Sequence, residues 1–242
     1  MKSFLTLVAL ILAASAQVKM AGPAKIIAGS QSQAPQIQTC VTGAFAKTEN
    51  CSLTVTNGWT ILVEGEAETT SAMNAPTMGC GTLTAQTGTT TTNAQLWSIG
   101  TATSSGSCTV TQTTSSASNV TMALSVWALS PLVTNGTIDV TVTSSNYVSG
   151  FHASSFSGPS VTGVTNNDVY FGTTFTSSGL PGNIIDSTNM PCTSDNSVLL
   201  GDGTQIANGH CIVATAGAKA PHWTPGTNPG ATWATATIAL QP

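Results

Sequence analysis

From Cys40 onward, short runs of Val, Ile, Leu, Thr and aromatic residues alternate with clusters of Gly, Asn and Ser, the pattern of an all-β fold. Asn57-Gly58 separates the run 52–56 from the run 59–64. A tight hairpin there would set Leu53 and Val55 beside Thr60 and Glu64, mixing apolar and polar side chains on each face. The two runs are therefore expected in different sheets of a sandwich, linked at a corner. A second Asn-Gly, Asn135-Gly136, reads as the two-residue loop of a hairpin between 132–134 and 137–143. In that register Val133, Ile138, Val140 and Val142 share one face. Leu132, Thr134, Thr137, Asp139, Thr141 and Thr143 take the other. Further strands are expected at 96–99, 108–114, 120–129, 169–175, 197–200, 211–215 and 233–240. Helical periodicity is essentially absent outside the N-terminal leader. A division of the domain into two subdomains near 131–150 stays open.

The N-terminus changes this picture by suggesting a compartment. Lys2 precedes an apolar stretch at 4–13, and Ala14-Ser15-Ala16 supplies the small-x-small pattern of a signal peptidase site. Residues 1–16 are read as a signal peptide, 17–38 as a flexible leader and 39–242 as the β-sandwich domain, with the mature chain beginning at Gln17. The apolar stretch falls short of the roughly 20 residues that span a bilayer. A secreted or extracytoplasmic protein (periplasm, cell surface) with no membrane span after cleavage is the expectation. Cys40, Cys51, Cys80, Cys108, Cys192 and Cys211 all follow the leader, and an even count in that setting reads as disulfides. Sequential pairing is favoured because each bridge then closes a local loop containing turn signals.

Composition narrows the function classes. The chain has 242 residues, 5 Lys, no Arg and 9 acids, for a formal net charge of −4. Clustered positive charge able to neutralise phosphates is lacking, so nucleic acid is not an expected partner. Thr and Ser together make 69 of the 242 residues. A nearly uncharged hydroxyl-rich surface suits weak polyvalent contact with glycans or a cell envelope.

The order Gly58-Trp59-Thr60-Ile61-Leu62-Val63, Val126-Trp127-Ala128-Leu129-Ser130, Asn167-Asp168-Val169-Tyr170-Phe171-Gly172 and Trp233-Ala234-Thr235-Ala236-Thr237-Ile238-Ala239-Leu240 carries a resemblance. Over about residues 45–242 the chain is similar to a loose group of uncharacterised bacterial and phage-associated secreted β-sandwich proteins. The resemblance implies a jelly-roll or immunoglobulin-like sandwich and transfers no functional residues.

Candidate chemistry is sparse. Glu64, Glu66 and Glu68 alternate, so an extended segment sets all three on one face with about 7 Å between neighbours. Adjacent carboxylates push their pKa values apart, as a retaining glycosidase requires. The segment faintly resembles the catalytic strand of laminarinase-type jelly-roll glucanases but lacks its central Asp. The preferred reading is a solvent-facing strand edge whose charges oppose aggregation. His152, His210 and His222 are scattered, and no G-x-S-x-G elbow is present. Asp195-Asn196 and Asp202-Gly203 offer oxygen ligands for calcium without EF-hand spacing, and read better as turns. No metal or cofactor is expected. Trp59, Trp127 and Trp233 lie in apolar runs and read as core. Trp223 and His222, in the Pro/Gly-rich stretch 217–230, are the expected small-ligand site on an exposed loop.

The sequence thus predicts a secreted, disulfide-stabilised β-sandwich that contacts a surface, matrix or glycan and is not an enzyme. The alternatives are a jelly-roll glycoside hydrolase using Glu64, Glu66 or Glu68, and a virion or appendage component.

Overall fold

A computed structural model describes residues 35–68, 72–86, 94–139, 143–148, 156–157, 159–163, 165–176, 184–185, 192–199, 205–224 and 233–242. The expected signal peptide, the expected leader up to residue 34 and Asp202-Gly203 lie outside the described residues. In chain order the first strands are β1 (Ile37–Ala46), β2 (Thr48–Val55), β3 (Thr60–Ala67), β4 (Thr77–Met78), β5 (Gly81–Gln86), β6 (Ala94–Ala102), β7 (Gly106–Thr113) and β8 (Val120–Leu129). Then follow β9 (Thr143–Val148), β10 (Phe156–Ser157), β11 (Val161–Gly163), β12 (Asp168–Thr176) and β13 (Ile184–Ile185). The last are β14 (Cys192–Leu199), β15 (Gln205–Val213), β16 (Gly217–Lys219), β17 (His222–Thr224) and β18 (Trp233–Leu240). No helix occurs among the described residues. The class is all-β, as the alternating pattern predicts.

The strands form stacked layers. An outer sheet, β2-β7-β4, covers a first inner sheet, β1-β8-β3-β6-β5. A second inner sheet, β14-β15-β12-β18-β9, packs against the far face of the first. Two small sheets, β10-β17-β13 and β11-β16, cover the remaining face of the second. Side-chain parity decides which layer each residue joins, because neighbours along a strand point to opposite faces. On β8, Leu124, Val126 and Ala128 pack toward the outer sheet with Leu53, Val55 and Val110. Trp127 and Leu129 pack the other way, onto Val169, Phe171, Ile238 and Leu240. A third core joins Tyr170, Ala207 and Ala239 to Val161 and Trp223 of the small sheets. With both faces covered, β3 and nearly all of β8 are buried at every position.

Local chemistry explains the joints. Gly58 adopts φ +86 at the corner after β2, and its N–H donates to Ala102 O at 2.8 Å. There the chain leaves the outer sheet for the first inner sheet, so Asn57-Gly58 is the expected corner. All three sequential disulfides form: Cys40–Cys51, Cys80–Cys108 and Cys192–Cys211. The first spans two layers, from β1 to β2. The second ties the turn between β4 and β5 to β7, and the third staples β14 to β15.

Two expectations need correction. Asn135-Gly136 does not close a hairpin. After Pro131 the chain turns, with Val133 N–H donating to Ser130 O, and Asn135 Oδ1 accepts from Thr137 N–H at 2.8 Å. Residues 137–139 instead run beside the end of β18, where Ile138 bridges Leu240 and Asp139 N–H donates to Ala239 O. The strand β18 offers a long apolar partner, whereas 132–134 is consumed by the turn; Val140 and Val142 lie outside the described residues. The ordered fold also starts before residue 39. The strand β1 begins at Ile37 and pairs along the whole of β8.

Candidate functional site: a polar cluster between the inner sheets

The three alternating glutamates separate on folding. Glu64 and Glu66 are 0% and 1% exposed, while Glu68, just past β3, is exposed. This corrects the expectation of a solvent-facing edge. The strand β3 lies between β8 and β6 inside its sheet, and its polar face meets the second inner sheet. Ile61 and Val63 point to the outer sheet, and Leu62, Glu64 and Glu66 to the inner gap.

Register assembles the surroundings of Glu64. Its cross-strand neighbours are Trp97 on β6 and Ser125 on β8, both on the same face. Across the gap, Thr173 on β12 is paired with Asn208 on β15. All five side chains are buried. Both Glu64 carboxylate oxygens, Trp97 Nε1, Ser125 Oγ, Thr173 Oγ1 and both polar atoms of the Asn208 amide make no hydrogen bond with the protein. Burial holds the Glu64 carboxyl well above the usual carboxylate range, and the charge of Glu66 pushes it further up. The Thr173 hydroxyl is near enough to favour the charged form slightly, without reaching hydrogen-bond geometry.

Beside this cluster sits a second polar node. Asp195 occupies the β-bulge of β14, where the pairing with β15 shifts between Ser194 and Asn196. Its carboxylate lies 2.8 and 2.9 Å from His210 Nδ1 and accepts from Trp127 Nε1 at 2.9 Å. Trp127 stacks on Trp97 with ring centroids 5.9 Å apart, so the two nodes share an aromatic wall. Both Asp195 oxygens are engaged in these contacts, which explains the residue without calcium. Among the described residues, no group of three or more His, Cys, Asp or Glu side chains gathers for a metal.

A third node was not anticipated from the sequence. Asp168 at the start of β12 is buried, and its carboxyl is pushed up to about 7 by burial first and by neighbouring Asp139 next. Asp139 is held by Thr165 N–H at 3.1 Å, Thr165 Oγ1 at 3.0 Å and Gln241 Nε2 at 3.1 Å. Tyr170 completes the group. Its hydroxyl accepts from Gly163 N–H and donates to Gly217 O, each at 3.2 Å.

The expected loop site around Trp223 is also corrected. Trp223 belongs to β17, pairs with β10 and β13, and is 0% exposed. A Cβ built on Gly172 would stand 3.3 Å from its ring, so the absence of a side chain there lets the indole seat on β12. Trp223 plugs a core where the sequence pattern suggested a platform; His222, beside it, is half-buried. Trp59 and Trp127 are buried, as their apolar runs predict, and the side chain of Trp233 is not among those described. Comparison of the chain with protein-family models, with curated proteins and with solved structures gives no match.

Proposed function

We propose that the protein is a non-enzymatic β-sandwich module that contacts neutral, hydroxyl-rich surfaces, glycans foremost, through the outer face of its outer sheet. The observation that carries this reading is the composition of that face. Thr48, Asn50, Ser52 and Thr54 on β2 stand opposite Thr113, Thr111, Thr109 and Ser107 on β7, with Thr77 of β4 beside Thr111. Their inward-pointing neighbours Cys51, Leu53 and Val55 anchor the strand in the core. The hydroxyls are held in rungs: Ser52 Oγ to Thr109 Oγ1 at 2.8 Å, Thr111 Oγ1 to Asn50 Oδ1 at 2.6 Å, and Asn74 Nδ2 to Thr113 Oγ1 at 2.8 Å. Side chains ordered in advance lose less entropy on contact. None of the side chains named on this face carries a charge.

The glycosidase reading receives less support. A polysaccharide cannot reach carboxyls that are 0% and 1% exposed. Three disulfides agree with an extracytoplasmic location, where such a surface would meet glycans. The test is cosedimentation with insoluble polysaccharides and a glycan array. Retention is expected, and Ser52→Lys with Thr109→Lys should abolish it while lowering the melting temperature only modestly, because both sites are exposed. No retention on any glycan, or retention indifferent to these changes, would refute the reading, as would release of reducing sugar by the parent protein.

A further inference from the structure

We propose that the cluster around Glu64 and Glu66 is a cation site, taking one hard, oxygen-preferring ion of the calcium class between the two inner sheets. Charge accounting points there first. Glu64 is a buried carboxyl that makes no hydrogen bond, with Glu66 at i+2 on the same strand face, and burying its charge unpaired is strongly unfavourable. The protein has no arginine to offer Glu64. Of the described lysines, Lys47 donates its ammonium to Ala117 O, and Lys219 lies on β16, across the second inner sheet. His210 faces the inner gap but is already paired with Asp195.

The neighbouring atoms point to the same ion independently. Ser125 Oγ, Thr173 Oγ1 and Asn208 Oδ1 are neutral oxygens, fully or almost fully buried and unpartnered. With the two Glu64 oxygens they make five, before Glu66 contributes, against the roughly six to eight that calcium takes. No sulfur or imidazole belongs to this set, which disfavours zinc and copper. Trp97 Nε1 and Asn208 Nδ2 are donors, and suit a role of hydrogen-bonding carboxylate oxygens so as to fix their direction. The ligands come from β3, β8, β12 and β15, so one ion would cross-link the two inner sheets.

The test uses the purified full chain, stripped with a chelator and titrated with calcium or terbium. One ion per chain is expected by elemental analysis. Terbium emission should be excitable through the indoles, because Trp97 borders the cluster. Calcium should raise the melting temperature, as any ligand of the folded state does. Glu64→Gln with Glu66→Gln should remove all three signals, whereas Asp168→Asn, at the separate acidic node, should keep them. Should the double variant fail to fold, Asn208→Ala decides, because it keeps both carboxylates and should weaken terbium binding by about tenfold. No bound ion and no calcium-dependent melting would overturn the proposal. So would binding that survives the Glu64/Glu66 double change or is unaltered by Asn208→Ala.

Discussion

The two gaps on either side of the first inner sheet are built from the same strands and differ in kind. Toward the outer sheet, β3 and β8 offer Ile61, Val63, Leu124, Val126 and Ala128 to an apolar core, closed by Cys40–Cys51 and Cys80–Cys108. Bridges of this kind contribute about 2–4 kcal/mol each. Toward the second inner sheet the same strands offer Leu62, Trp127 and Leu129 at one end, and Glu64, Glu66 and Ser125 at the other. Burial is complete in both gaps, so burial alone says little about a position's role. The outer gap supplies cohesion. The outer gap leaves the Ser98 hydroxyl and the Gln112 amide oxygen without partners, whereas the inner gap does so with a carboxyl, Glu64, and with the Ser125 hydroxyl beside it, and an unpaired carboxyl is the costlier group to bury.

Substitutions can break or sharpen this contrast. The largest effect is expected in the third gap, under the small sheets, which should behave like the outer one. Trp223→Ala removes a fully buried indole and should cost about 3–5 kcal/mol in chemical denaturation. A change below about 1 kcal/mol would return Trp223 to an exposed loop. Leu124→Ala, in the outer gap, should cost about 2–5 kcal/mol by the same measurement.

The acidic node gives a pH signature of intermediate size. Asp168 has its folded pKa raised to about 7 from an ordinary value of 3.8, so the folded state binds the extra proton between those values. Its contribution to stability is fully present below about pH 4 and is lost as pH rises through 7, at up to ~1.4 kcal/mol per pH unit. Asp168→Asn should flatten that part of the stability profile. A profile unchanged by the substitution would show that Asp139 and Tyr170 do not confine Asp168 as described.

The smallest effects test the inner gap itself. Ser125→Ala is adjacent to Leu124 and equally buried, yet removes a hydroxyl with no partner. In chelator it should change stability by less than about 1 kcal/mol, or raise it, because no hydrogen bond is lost. Glu68→Gln, on the exposed end, should stay within about 0.5 kcal/mol in any buffer.

Much of the fold was legible because its strongest signals are local. The run 120–129 and the terminal run 233–240 coincide with β8 and β18, and the mixed faces at Asn57-Gly58 gave away the corner. Sequential disulfides followed from loops short enough to close locally. The site was half legible. Alternation correctly placed Glu64 and Glu66 on one face, but period 2 does not reveal whether a second sheet covers that face. A hint lay in Ile61-Leu62-Val63 before them, the continuous apolar run of a strand buried on both sides. Gly65 is another: a Cβ there would stand 2.7 Å from Gln112 Oε1 of the outer sheet. Asp139 and Asp168 meet through the end of β18, a long-range pairing with no local signature. Trp223 misled because Pro and Gly around it resemble a loop, while its seat depends on Gly172, far away in sequence.

The central claim is that β3 is covered on both faces, so that Glu64 and Glu66 are interior while Glu68 is not. Carbodiimide coupling of an amine to accessible carboxyls, mapped by peptide mass spectrometry, tests it directly. In the native protein Glu68 should be labelled, and Glu64 and Glu66 should label only after denaturation with reduction of the disulfides. Labelling of Glu64 at the rate of Glu68 under native conditions would contradict the layered arrangement, and with it the division of labour between the two gaps.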